Sequence, residues 1–410
     1  MADEQRVTAN SHNSTVPRVA VCCFLAISLV VWLIQQWNFE RAVAIGLIVP
    51  DVVNITNSFN NLWFDGGSRA QGDEFFGLAF IYGWTWAAHP ALCYGVNLVL
   101  MMVAANVYTG HFVRRRGLPG WTVLGVLANP YLLLAMPGPN KEIPLLVLTL
   151  AWFVAADRAR PSWMLWGALF AMAAYTFRAG YGLFLLAMVI VLAVVGRHRE
   201  SALPWVVGLL CVLTTVFYDT LVAISPAIAS NRDAFETISL DGAAVGFIAS
   251  SLVGEPSSPL GALVLFGLRL VYNSLSMALF PVLSTVDGEP YWLGRGYWAY
   301  GVALLATLPA AAWATRRTTP SRTLRLSGTL VVSTLLMVST SQFVQPRYLM
   351  PVLPIALVAL VAAPAHVRAR CVKGAGAIIL VIVGGYALLD RSPAPAEAGA
   401  FDVPSYILGL

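Results

Sequence analysis

The chain has 410 residues, 58% of them hydrophobic and only 11% charged, with a mean hydropathy of +0.73. Soluble domains carry about 25% charged residues, so this composition excludes a soluble globular protein and points to a chain whose solvent is lipid. The formal net charge of +5 is no sign of a nucleic-acid partner, because an excess of arginine in a membrane protein chiefly sets its orientation.

Apolar runs recur from 19 to 389, most of them approaching the ~20 residues that a membrane helix needs. The expected fold is all-α, a polytopic helical membrane protein with about 11–13 transmembrane helices. Residues 1–389 form a single transmembrane domain, and 390–410 form a flexible extracytoplasmic tail rich in proline and small residues. The first run, 19–36, lacks a small-residue cleavage site and reads as a retained helix. Later spans are expected at 88–110, 121–137, 143–156, 162–177, 181–196, 203–224, 298–315, 326–341, 349–365 and 375–389. The five cysteines form no C-x-x-C, which argues against a disulfide framework, and the five histidines lack metal-ligand spacing.

Orientation follows from the arginines. Basic clusters at 114–116, 157–160, 197–200, 316–325 and 366–373, together with the amino-terminal segment, hold 16 of the 25 basic residues and 4 of the 20 acidic ones. They alternate with arginine-poor segments, which is the positive-inside pattern and puts the amino terminus in the cytoplasm of an inner-membrane protein. The cytoplasmic loops read as short basic connectors. The segments 37–74, 138–142, 178–180, 225–297 and 342–348 then face outward. They carry the unusual charges Asp65, Asp73, Glu74, Lys141, Glu142, Arg178, Arg269 and Arg347. Within 225–297, residues 260–283 are apolar enough to span but hold Arg269, Tyr272 and Asn273 near the middle. Two paths stay open, a paired crossing with 243–253 or a re-entrant segment. A mid-membrane charge is costly, which favours the second.

Three stretches could carry chemistry. In the first outer loop, Gly72-Asp73-Glu74-Phe75-Phe76 follows a glycine-rich run that begins at Asp65. An acid there can serve as a general base, or can simply favour a helix N-terminus. Gly138-Pro139-Asn140-Lys141-Glu142 separates two apolar runs and contains one of only two lysines in the chain. It reads either as an interfacial charge pair or as a substrate-facing one. Gln345-Pro346-Arg347-Tyr348 opens a helix that also holds Pro351 and Pro354, which bend it or loosen its first turns. Arginine opposes the dipole at a helix start, so an anion such as phosphate would compensate it; a snorkelling arginine beside a belt tyrosine is the alternative. Arg178 is a further arginine at an outer helix end.

In order, these features resemble the GT-C superfamily of membrane glycosyltransferases, which use polyprenyl-phosphate sugars. Gly72-Asp73-Glu74-Phe75-Phe76, followed by Pro90 and Asn97, is similar to that family's acidic motif in the first outer loop. The run from Pro130 to Glu142 is similar to a Lys-Glu motif of bacterial polysaccharide-assembly proteins. Arg347-Tyr348-Leu349-Met350-Pro351-Val352-Leu353-Pro354 resembles the family's late Arg-Tyr-x-x-Pro-x-x-Pro. The resemblance implies an inverting enzyme in which Asp73 deprotonates an acceptor hydroxyl and Glu74 or Asp65 assists. It implies that Lys141, Arg178, Arg269, Arg347 and Tyr348 bind the donor phosphate, with Glu142 in support. The implied partners are a polyprenyl-phosphate-linked sugar donor, a lipid-linked or glycan acceptor and the membrane lipids, with no nucleic acid. No cofactor is fixed, and a divalent metal stays open. The rivals are a polymerase or ligase of lipid-linked oligosaccharides, a transporter or flippase for such lipids, and an inactive scaffold.

Overall fold

The computed structural model describes residues 2–45, 47–48, 76–83, 91–158, 161–195, 200–217, 259–279, 285–286, 289–290, 292–316, 321–340 and 346–389. The fold is all-α; the described residues add only a two-residue antiparallel pair, Thr285–Val286 against Glu289–Pro290. The longer helices are α1 (Ala2–Trp37), α2 (Ala91–Tyr108), α3 (Glu142–Arg158), α4 (Trp163–Tyr175), α5 (Ala179–Val195) and α6 (Leu203–Val216). They are followed by α7 (Pro259–Leu279), α8 (Trp292–Ala314), α9 (Arg322–Val338), α10 (Leu353–Ala362) and α11 (Ala365–Leu389). Among the described residues, Val16–Trp37 and Ala91–Arg115 are long and apolar enough to cross a membrane. Six further helices are apolar but shorter.

Several boundaries depart from the sequence expectation, each for a local reason. The run 121–137 is not one helix. It breaks into Gly120–Val123, Leu124–Leu127 and Pro130–Leu134. Pro130 has no N–H to donate and sits at the first helical position, while Asn129 Oδ1 accepts from the N–H groups of Tyr131 (3.1 Å) and Leu132 (3.4 Å). The sequence thus restarts the helix at residue 130. Pro346–Val352 is a 3-10 helix ahead of α10, so the two prolines loosen the first turns as expected. The basic stretch 366–373 is not a connector but the start of α11. Ala363 precedes Pro364 and is extended, at φ −67° and ψ 150°, so the break falls there. The segment expected to be re-entrant forms one uninterrupted helix, α7, over its described residues.

The chain is organised around α3 and α9. α3 packs on α2, α4 and the 346–352 segment, and α9 packs on α6, α8, α10 and the same segment. Around α3, the rings of Tyr108, Phe112 and Phe153 form a column with centroids 4.8 and 5.3 Å apart. α8 and α9 approach closely because Gly328 has no side chain. A Cβ there would overlap the carbonyl oxygen of Ala311 and lie 2.8 Å from Ala314 Cβ.

Unlike a soluble bundle, this one is apolar on its outward faces as well as in its core, and the core also takes in hydroxyls. α9 buries Thr323, Ser327, Thr329, Ser333 and Thr334, and the hydroxyls of Ser327 and Thr334 donate to backbone carbonyls one turn back. The outward faces carry large apolar side chains, among them Leu33 and Ile34 on α1, Leu165 on α4, Ile190 on α5, Leu209 on α6 and Val381 on α11.

Candidate functional site

The amino-terminal end of α3 is assembled from residues far apart in sequence. Asn97 on α2 is fully buried and anchors the loop before α3. Its Nδ2 donates to the carbonyls of Met136 (3.0 Å) and Gly138 (2.8 Å), and its Oδ1 accepts from Tyr82 Oη (2.6 Å) and Asn140 Nδ2 (3.2 Å). Asn140 Nδ2 lies within reach of three acceptors, Asn97 Oδ1 and the carbonyls of Ala135 and Gly138, so its two protons are shared. Its Oδ1 accepts from the N–H of Ile143 (2.9 Å), satisfying one of the orphan donors in the first turn of α3. Burial, with Cys93 and the Glu142 carboxylate nearby, pushes the Tyr82 phenol well above its ordinary value, so Tyr82 stays a neutral donor to Asn97.

This loop delivers Lys141 half-buried and Glu142 buried, at 2% exposure. Glu142 therefore does not face open solvent, contrary to a reading of both charges as surface groups. Its Oε1 lies 3.5 Å from Arg178 Nη2, an ion pair at longer than hydrogen-bond length. The Arg178 guanidinium in turn lies 4.1 Å from the ring centroid of Tyr348, within cation–π range. Three expected site residues are thus brought together directly: Glu142 from α3, Arg178 from the turn between α4 and α5, and Tyr348 from the 346–352 segment. Asn129, at the break before Pro130, ties that segment down further through Nδ2 to Met350 Sδ at 3.9 Å.

The remaining expected residues divide. Arg269 is buried on α7, which also packs on the 346–352 segment. One turn on, Asn273 is fully buried and donates to Ser339 Oγ at 3.3 Å. The backbone of Arg347 lies in the 346–352 helix beside Tyr348, and its side chain is outside the described residues. Asp65, Asp73 and Glu74 also lie outside them. The first described residues after that motif begin at Phe76, and the N–H of Gly77 donates to the carbonyl of Thr176 at 2.9 Å, two residues before Arg178. A side chain at Gly77 would press on Thr176 Oγ1. Among the described residues, no three His, Cys, Asp or Glu side chains converge as metal ligands.

A second buried polar group, which sequence reasoning treated as connectors, occupies the other end of α3. Asp157 is 4% exposed. It accepts from His111 Nε2 (2.9 Å), from Arg116 through Nε (3.1 Å) and Nη2, and from Thr323 Oγ1 (3.0 Å). Arg322 donates to the Asp157 carbonyl (2.8 Å) and to Glu200 Oε1 (2.8 Å), and Arg325 lies 3.7 Å from Glu200 Oε2. Burial alone would raise the Asp157 carboxyl, but the bonds and charges of His111 and Arg116 outweigh it and hold it below the usual carboxylate range. The signal was present in sequence as two acids, Asp157 and Glu200, set among arginines. No family model, curated protein or solved structure matches the chain.

Proposed function

We propose that the chain is a polytopic membrane glycosyltransferase of the GT-C type, moving a sugar from a polyprenyl-phosphate donor to a lipid-linked or cell-envelope acceptor on the outer face of the membrane. The observation that carries this reading is the convergence of Glu142, Arg178 and Tyr348 at the head of α3, beside Lys141. A phosphate leaving group needs fixed positive charge where its negative charge develops. Here the guanidinium of Arg178 is positioned from two sides, by a buried carboxylate and by an aromatic face. The apolar outward faces of the bundle support the membrane setting.

In this reading Asp73 takes the proton of the acceptor hydroxyl, whose oxygen forms a bond to the anomeric carbon. The bond from that carbon to the phosphate oxygen breaks, and the departing lipid phosphate is met by Arg178, Lys141 and Arg347. A single displacement of this kind inverts the anomeric centre. The bond from Gly77 to Thr176 supports the inclusion of Asp73, because the four residue-to-residue steps from Asp73 to Gly77 span at most ~14 Å. A second reading, a flippase for such lipids, is favoured by the broken helix at Asn129-Pro130, since discontinuous helices build transporter sites. Membranes bearing the protein, incubated with a panel of radiolabelled polyprenyl-phosphate sugars, separate the two. Transfer of label to an acceptor supports the enzyme. Movement of the intact donor across the bilayer without transfer supports the flippase.

A further inference from the structure

At the arginine-rich end of the bundle, remote from the cluster described above, a slot of about 500 Å³ opens between the end of α2, the last turns of α3 and the first half of α4. Its chemistry changes along its length. Exposed Arg158 and Ser162 lie at one end of the lining, and the half-buried Ala151, Val154 and Phe170 lie one to two turns further along α3 and α4. From Arg158 to Ala151 along α3 is about 10 Å, and from Ser162 to Phe170 about 12 Å, at 1.5 Å per residue. Trp166, half-exposed and stacked on Phe170 with centroids 6.1 Å apart, forms the outer wall. His111 also lines the slot. It is 1% exposed, its Nε2 is held by Asp157, and its Nδ1 has no hydrogen-bond partner among the described residues. A buried polar atom left in that state is costly, and a ligand hydroxyl or a water carried in with a headgroup would offset the cost.

We infer that this slot binds one anionic phospholipid, its phosphate at Arg158 and Ser162 and one acyl chain laid along α3 against Phe170. Three features select that occupant. Arg158, with no acid among the described lining residues, favours an anionic headgroup over a zwitterionic one. An apolar interior of this depth suits a hydrocarbon chain and not a free sugar phosphate. An interfacial tryptophan marks a headgroup level. The volume lies within the range of small-molecule pockets. The inference rests on the membrane reading of the chain, though not on its glycosyltransferase chemistry, since the slot lies at the opposite end of α3 from Glu142.

The test uses the full-length protein in two steps. First, membranes are washed with alkaline carbonate. Release of the protein would overturn the membrane reading and this site with it, whereas retention leaves the lipid site to be judged on its own. Second, the protein purified in neutral detergent is offered phosphatidylglycerol, phosphatidylcholine or inorganic phosphate, and bound lipid is counted by native mass spectrometry. The expected result is retention of one phosphatidylglycerol in preference to phosphatidylcholine, undisturbed by inorganic phosphate. In Arg158→Gln the preference falls about tenfold, the size expected for one hydrogen-bonded charge. Ala155→Trp, which fills the slot, abolishes retention of either lipid. Arg158→Gln changes a single exposed side chain and keeps the test valid if the tryptophan variant fails to fold. Equal retention of the two lipids, displacement by inorganic phosphate, or an unchanged preference in Arg158→Gln would overturn the proposal.

Discussion

The guanidinium of Arg178 sits 4.1 Å from the ring centroid of Tyr348, although 170 positions separate the two residues in the chain. The contact joins the turn after α4 to the proline-rich segment before α10, and Glu142 completes it from α3 at 3.5 Å. Removing one partner of a buried ion pair leaves the other uncompensated, which typically costs about 3–5 kcal/mol; Arg178 is partly exposed, so the lower end applies here. Arg178→Ala should therefore lower the thermal unfolding temperature in detergent, and adding Glu142→Gln should restore much of it. If Arg178 serves only structure, the double variant also regains transfer activity. If it binds donor phosphate, stability returns and activity does not.

Asp73→Asn should abolish sugar transfer while leaving donor binding largely intact, because asparagine keeps the shape but takes no proton. A general base contributes typically ~10²–10⁴-fold. Arg347→Ala should raise KM as well as lower kcat, and Arg347→Lys should recover only part, since lysine lacks the planar fork. Glu74→Gln shows which acid matters. If Asp73→Asn and Glu74→Gln both keep near-wild-type turnover, the first loop holds no base and a polymerase or ligase using outer cations alone becomes the better account.

Orientation is checked by labelling. Cys22 and Cys23 are exposed and need replacement by serine first, while Cys93, Cys211 and Cys371 are buried. A cysteine at Ser68 should then react with an impermeant maleimide in intact cells, and one at Arg115, exposed at the basic turn after α2, only after permeabilisation. The reverse pattern would put the Glu142–Arg178 cluster on the cytoplasmic side and remove an extracytoplasmic donor site. Asn140 is unsuitable for this purpose, being 1% exposed and bonded to Asn97.

Asp157 gives a pH dependence of stability. Its carboxyl is held below the ordinary range in the folded chain, so its stabilising contribution is complete above the unfolded value of about 4. That contribution is lost as pH falls through the depressed folded value. Unfolding temperature in detergent should therefore drop on acidification below about pH 5, and Asp157→Asn should be less stable at pH 7 and lack this acid-sensitive component. An identical pH profile in the variant would mean that other carboxylates govern acid unfolding.

Gly328→Leu tests the close approach of α8 and α9. Because even a Cβ at this position would overlap the Ala311 carbonyl oxygen, the two helices must separate, at roughly 1–3 kcal/mol or more. The expected outcome is a lower unfolding temperature or loss of folded protein. A neutral result would show that the helices can slide apart at no cost.

Composition and periodicity alone determined that this chain is all-α and strongly apolar. Pro351 and Pro354 were legible as loosening the helix they open, but the restart at Pro130 and the break before Pro364 fell inside spans read as continuous, although a missing N–H and a fixed φ act locally whatever the surroundings. The isolated cations and acids at 138–142, 178 and 347 were also legible as unusual. What only the tertiary structure decided is which of them meet. Nothing near Glu142 in sequence says that its partner is Arg178, or that Arg178 rests on Tyr348, because those contacts depend on how α3, α4 and the 346–352 segment pack. The Asp157 network was hidden for the same reason. Among arginines an acid looks like part of a basic connector until burial removes water and forces each of its lone pairs to find a donor.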